Sequence, residues 1–115
     1  MHGHPEQGDI ITLNFDPSAG REIQKRRPAL VVSTKNYSAV TGLVAVCPIT
    51  STNKPHFVPL DKTHEIKGYI NPLQVRTLDY KARCWKKIET ATLSELGNVA
   101  QIVAMIFSFD ELLGE

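Results

Sequence analysis

The sequence predicts a mainly β fold: a small, partly open barrel of six or seven strands with one helix packed at its C-terminal end. Three observations lead there. Short apolar or alternating stretches, bounded by turn residues, recur between Asp9 and Glu89. Only one segment, after Thr92, carries apolar residues at helical spacing. The 115 residues hold no repeat and no low-complexity linker, which suits one domain of ordinary size.

Taken in order, residues 1–7 read as a flexible arm with His2 and His4 inert in it, and residues 8–115 as a single domain. Asp9 to Phe15 alternates, with Ile11, Leu13 and Phe15 on one face. Asp16-Pro17-Ser18-Ala19-Gly20 then breaks the strand with turn chemistry. Pro28 to Ser33 and Leu43 to Ile49 are Val-containing runs suited to buried strands, and Cys47 in the second reads as a small core residue. His56 to Leu60 and Gly68 to Asn71 are shorter candidates, each interrupted or followed by proline. Leu73 to Leu78 alternates, with Leu73, Val75 and Thr77 on one face, and Trp85 to Glu89 closes the sheet. Thr92-Leu93-Ser94-Glu95 is a capping box, and Leu96, Val99, Ala100, Ile102, Val103, Ile106 and Phe107 follow at helical spacing.

Thirteen basic residues against 12 acidic give a net charge of +1, which excludes an acidic disordered chain and bulk-charge coating of nucleic acid. The charges are nonetheless segregated. Arg21, Lys25, Arg26 and Arg27 oppose only Glu22, and Arg76, Lys81, Arg83, Lys86 and Lys87 oppose only Asp79. Beyond residue 88 there are five carboxylates and no Lys or Arg. Two basic segments of this kind can form one face for an anionic ligand. No apolar run approaches the ~18 residues of a membrane span, and Met1 to Asp9 lacks the features of a signal peptide, so a cytoplasmic chain is expected.

The chemistry is narrowed by what the sequence lacks. There is no phosphate-binding Gly-rich loop, no paired Cys or His at metal spacing, and no clustered carboxylates for a two-metal nuclease. A metal-free nuclease needs a nucleophile already in its substrate, and RNA supplies a 2′-hydroxyl. Two places offer the remaining parts. Arg27 precedes Pro28, which biases it toward extended backbone at a strand head, where a guanidinium can fork onto phosphate. Thr50 and Ser51 follow an apolar strand and place hydroxyls at a sheet rim. The twelve-residue connection Asp16 to Arg27 is long enough to be functional and to fold over an anion. A His56/His64 acid–base pair is the competing arrangement, disfavoured enough that loss of His64 alone is expected to leave activity near wild type. Trp85 reads as a core or dimer residue before a base-stacking one.

The run Gly8-Asp9-Ile10-Ile11, then Phe15-Asp16-Pro17-Ser18-Ala19-Gly20-Arg21-Glu22, then Arg27-Pro28-Ala29-Leu30-Val31-Val32-Ser33 closely resembles the MazF/PemK (Kid) toxin family. Asn36-Tyr37, Thr41-Gly42-Leu43, Pro48-Ile49-Thr50-Ser51 and Gln74-Val75-Arg76-Thr77-Leu78-Asp79 continue it in order, over roughly residues 8 to 106. The resemblance implies a PemK-like (SH3-like) barrel acting as a homodimer. It also implies a metal-free endoribonuclease without cofactor, cutting single-stranded mRNA at short sequences. A cognate antitoxin restrains it, and DNA is met only through the antitoxin complex. By position, Arg27 matches the family's catalytic arginine, Thr50 its threonine at the scissile phosphate, and Glu22 its loop glutamate. Ser51 and Gln74 match substrate contacts, and Arg21, Lys25, Arg26 and Arg76 are the cations expected to meet RNA. The sequence departs from PemK-type members at Asn71 and Leu73, where those carry an acid–base arginine and aspartate, so the Arg27/Thr50 variant of the mechanism is implied. Two other classes compete: a non-catalytic SH3-like nucleic-acid-binding module, and a gyrase poison of the CcdB type. The latter relies on a terminal Trp-Gly-Ile, where this sequence has Leu113-Gly114-Glu115.

Overall fold

A computed structural model describes residues 3–15 and 26–114. Strands β1 (Asp9–Asn14), β2 (Arg26–Val31), β3 (Leu43–Thr50), β4 (Val58–Pro59), β5 (Tyr69–Ile70), β6 (Arg76–Asp79) and β7 (Lys86–Thr90) form one antiparallel sheet. Its order is β4-β5-β3-β2-β1-β7, with β6 also paired to β3. Helix α1 (Lys35–Thr41) connects β2 to β3, and α2 (Leu93–Ile106) and α3 (Asp110–Leu113) follow the last strand. The sheet curls into the expected open barrel, helped by a register shift between Ile10 and Ile11 where β1 meets β7.

Both faces of the central strands are buried, because their alternating residues feed two separate cores. Ile11, Leu13 and Phe15 join Ala29, Val31, Val44, Val46, Leu78 and Tyr80 on one side. Ile10, Leu30, Cys47, Ile49 and Ile70 point to the other, where Val99 of α2 covers them. The capping box forms as its residues predict: Thr92 Oγ1 accepts from Glu95 N at 3.0 Å, and Glu95 Oε1 accepts from Thr92 N at 2.8 Å. Burial pushes the Cys47 thiol pKa up to about 12, as for a core residue. Trp85 is half-buried and meets Tyr80 edge-on, centroids 5.8 Å apart. Among the described residues no helix is long and apolar enough to cross a membrane.

Four expectations change. Helix α1 adds a second helical segment where only one, after Thr92, was expected; Thr34 Oγ1 caps its start, accepting from Tyr37 N at 3.1 Å, and Gly42 ends it with φ +77°. The predicted strand Leu73 to Leu78 begins only at Arg76, because Pro72 and an Asn71 side chain accepting from Leu73 N at 3.0 Å make residues 71–74 a turn. Within it Leu78, not Leu73, faces the core. Residues 3–7 do not hang free: Pro5 is fully buried, His4 Nδ1 lies 2.8 Å from Tyr80 Oη, and Gln7 donates to Val32 O at 2.8 Å. Finally, the apolar stripe of α2 is buried only through Val99 and half-buried through Leu96, Ile102 and Val103, while Ile106 and Phe107 are exposed.

Candidate active site

The β2–β3 ladder aligns Ala29 with Pro48. That pair ends the ladder, and Thr50 is paired onward to Tyr69 of β5; two residues beyond the pair, on the same alternation of their strands, come Arg27 and Thr50. Both line an open cleft of about 520 Å³ together with Ser51, Thr52, Lys54, Phe57, Asn71 and Gln74. The expected Arg27, Thr50, Ser51 and Gln74 are therefore brought together. Among the described residues the lining holds two cations, Arg27 and Lys54, and no carboxylate.

Local hydrogen bonds aim these groups. Thr50 Oγ1 accepts from Thr52 N at 3.2 Å, so the hydroxyl proton remains available to the cleft. Asn71 Nδ2 donates to Gln74 Oε1 at 3.2 Å, which leaves the Gln74 amide NH₂ to donate. Asn71 is itself fixed, its backbone N–H donating to Pro48 O at 2.8 Å. Gly68, at φ +134°, passes close against the Thr50 carbonyl.

Other expected residues lie elsewhere. Arg26 is the neighbour of Arg27 on a strand, so it points the opposite way. Its Nη2 donates to Thr12 O at 3.1 Å and Thr12 Oγ1 at 3.0 Å. It lines a second cleft of about 690 Å³ with His4, Trp85, Lys86 and Lys87. The Arg76 guanidinium stacks 5.1 Å above the Phe15 ring and does not line the Arg27 cleft. Arg21, Glu22 and Lys25 lie outside the described residues. Lys54 and Phe57 were missed from sequence, although Lys54 precedes Pro55 just as Arg27 precedes Pro28.

The two histidines do not make a pair on this cleft. His56 is exposed with φ +76°, and neither lines the cleft. His64 is buried between two carboxylates: its Nε2 lies 2.8 Å from Glu95 Oε1 and its Nδ1 3.1 Å from Glu89 Oε1. Burial alone would lower the His64 pKa, but hydrogen bonds and charge from Glu95 and Glu89 prevail and hold it raised. Burial would raise both glutamates. For Glu89 the Ile66 and Glu65 amides and His64, and for Glu95 the Thr92 and Asp61 amides and His64, hold them below the ordinary value.

The sequence profile of a family described as "PemK-like, MazF-like toxin of type II toxin-antitoxin system" matches residues 6–107. The chain belongs to this family. Among relatives of this PemK/MazF-like toxin is Endoribonuclease PemK of Escherichia coli, 37% identical over 90 residues that span 73% of this chain and 68% of that protein. The crystal structure of MazF (Form-I) from Deinococcus radiodurans superimposes with a TM-score of 0.80 at 34% identity, covering 99% of this chain and 100% of that one. A MazE-MazF crystal structure (Form-II) from the same organism matches with a TM-score of 0.80 at 29% identity, over 93% and 98% of the two chains.

Proposed function

We propose that this PemK/MazF-like endoribonuclease toxin cuts single-stranded mRNA at specific short sequences, without a metal, in the cleft of Arg27 and Thr50. The observation that carries the reading is that Arg27 and Thr50 line one cleft whose described lining is cationic and hydroxyl-rich. In the reaction the substrate 2′-oxygen loses its proton and bonds to phosphorus, while the P–O5′ bond breaks and the 5′-oxygen takes up a proton. The products are a 2′,3′-cyclic phosphate and a 5′-hydroxyl.

Arg27 forks onto the non-bridging oxygens as negative charge grows on the phosphorane. Thr50 and Ser51 donate hydroxyl hydrogen bonds to the same phosphate, and Gln74 donates its amide. Asn71 and Leu73 cannot exchange protons near neutral pH. Glu22 is therefore assigned to proton transfer, and Arg21 and Lys25 of the same loop to RNA binding. Any RNA contact of Arg26 or Arg76 falls outside this cleft. Phe57 offers a face on which a flanking base can stack.

The functional unit is a homodimer, restrained by a cognate antitoxin whose acidic segment is disordered until it binds; DNA is met only through that complex. The MazE-MazF structure of the D. radiodurans relative supports the antitoxin partner. The test is cleavage of a long unstructured RNA in EDTA, with mapping of the cut sites and of both new ends. Cyclic-phosphate ends at recurring sequences are expected, with matching DNA and RNA 2′-O-methylated at the scissile nucleotide left intact. Activity abolished by EDTA and restored by magnesium would refute the mechanism, and RNA binding without cleavage would favour the non-catalytic module.

A further inference from the structure

We propose that His64, clamped between Glu89 and Glu95, is a positioning residue for the cleft: it fixes the β4–β5 hairpin that holds Thr50 and Asn71 in place. The proposal rests on reading that cleft as the RNA-cleaving site. The hairpin has little to hold it by itself, since β4 and β5 are two residues each. At its open end, β5 pairs Ile70 and Tyr69 with Ile49 and Thr50, and Asn71 N donates to Pro48 O. At its closed end, Leu60 N donates to Gly68 O at 3.0 Å, and residues 61–67 form the tip.

Beside the packing of Ile66 against the second core, that tip is tied down by hydrogen bonds to two carboxylates from other elements. Glu95 of α2 accepts from Asp61 N at 2.6 Å and sits 2.8 Å from His64 Nε2. Glu89 of β7 accepts from Glu65 N at 3.0 Å and Ile66 N at 2.8 Å, and sits 3.1 Å from His64 Nδ1. Both imidazole nitrogens face carboxylate oxygen, so only the imidazolium can donate to both at once. On losing a proton it must break one of the two bonds, leaving buried Glu95 or half-buried Glu89 short of a donor.

The charged groups of the hairpin tip itself are Asp61, Lys62, Glu65 and Lys67. Asp61 is hydrogen-bonded to Thr63, and Lys67 Nζ donates to Lys62 O at 2.7 Å. Glu89 and Glu95 are the carboxylates that reach the ring from other elements. Release of the tip is transmitted along a short rigid path. Gly68 abuts the Thr50 carbonyl, and the next residue, Tyr69, is Thr50's ladder partner. A small shift there moves the Thr50 hydroxyl and, through Asn71, the Gln74 amide. Catalysis tolerates such misplacement poorly, a displacement of about 1 Å costing up to about a hundred-fold in rate.

Two measurements on the full chain test this. In heteronuclear NMR spectra between acid and alkaline pH, the backbone amides of Thr50, Tyr69 and Asn71 should titrate together with the His64 ring, and lose that titration in His64→Gln. In RNA cleavage, contrary to the sequence-based expectation of near wild-type activity without His64, His64→Gln and Glu89→Gln should each lower kcat on the order of ten-fold with little change in KM, because of the clamp that the structure shows. The wild-type to His64→Gln rate ratio should fall toward one as pH rises through the His64 titration. Folded variants that cut at wild-type kcat overturn the proposal, as does a His64 titration that leaves the Thr50 and Asn71 amides unmoved. Coupled amide titrations in a wild-type protein that cuts no RNA would support the positioning role while refuting the proposed function.

Discussion

Adding one methyl group at residue 68 should damage both stability and cleavage. Gly68 has φ +134°, a region that L side chains rarely adopt. A Cβ built there would approach the Thr50 carbonyl oxygen inside the 3.0 Å that real Cβ atoms keep, and would lie 3.2 Å from the Thr50 carbonyl carbon. Both atoms belong to backbone held in the β3–β5 ladder, so neither can swing away as a flexible side chain would. The unfavourable φ costs on the order of 1–3 kcal/mol. Overpacking against a fixed neighbour adds about 1–3 kcal/mol. Even about 2 kcal/mol lowers Tm by roughly 8 °C in a domain of this size. Thermal melts and urea titrations of Gly68→Ala measure the loss, and single-turnover cleavage well below Tm measures the displacement of Thr50. Gly97→Ala is the control: nothing lies within 4 Å of its added Cβ, and within α2 alanine is favoured by about 1 kcal/mol. If Gly68→Ala melts within about 0.5 kcal/mol of wild type, typical of an inert surface change, the close approach to Thr50 has been misjudged.

Three further outcomes are expected. Arg27→Ala should lower the cleavage rate on the order of 10²–10³-fold, as for loss of one oxyanion donor, with Arg27→Lys recovering little because an ammonium cannot fork; an Arg27→Lys rate near wild type would contradict this. In denaturant titrations, the stability advantage of wild type over His64→Gln should be greatest between the ordinary glutamate value of 4.5 and the ordinary histidine value of 6.5. The raised His64 pKa contributes stability below 6.5 that is lost as pH rises through the folded value, and the lowered Glu89 and Glu95 values contribute stability above 4.5 that is lost in acid; a pH-independent difference would contradict the charged clamp. An acidic antitoxin segment should compete with RNA, and both should bind more weakly as salt rises; salt-independent inhibition would point to a remote site.

Local chemistry was legible in the sequence and long-range geometry was not. Alternation in β1 separated Ile11, Leu13 and Phe15 correctly, and the Thr92/Glu95 capping box marked the start of α2. Helix α1 escaped because Lys-Asn-Tyr-Ser-Ala-Val-Thr has no apolar stripe; Thr34 and Gly42 define it at its ends. The false strand at Leu73 came from alternation that continues through a turn, with Pro72 and the Asn71 side chain overriding it. Among the expected site residues, period-two alternation along β2 is by itself enough to send Arg26 and Arg27 to opposite faces. By contrast, Arg76 over Phe15 is a tertiary contact, as is His64 with partners 25 and 31 residues away.

The two cysteines give the molecule a chemical address. Cys47 lies sealed in the second core with its thiolate suppressed, whereas Cys84 is exposed beside Trp85. A maleimide dye should therefore attach at one position on the folded chain without mutagenesis. That position lies on the Arg26 cleft and not the Arg27 cleft, so the label leaves the proposed RNA path open. Cys84 precedes Trp85, whose indole quenches many fluorophores on contact. A partner that settles on this side of the barrel would change the dye's brightness, while RNA entering the Arg27 cleft would leave it unchanged.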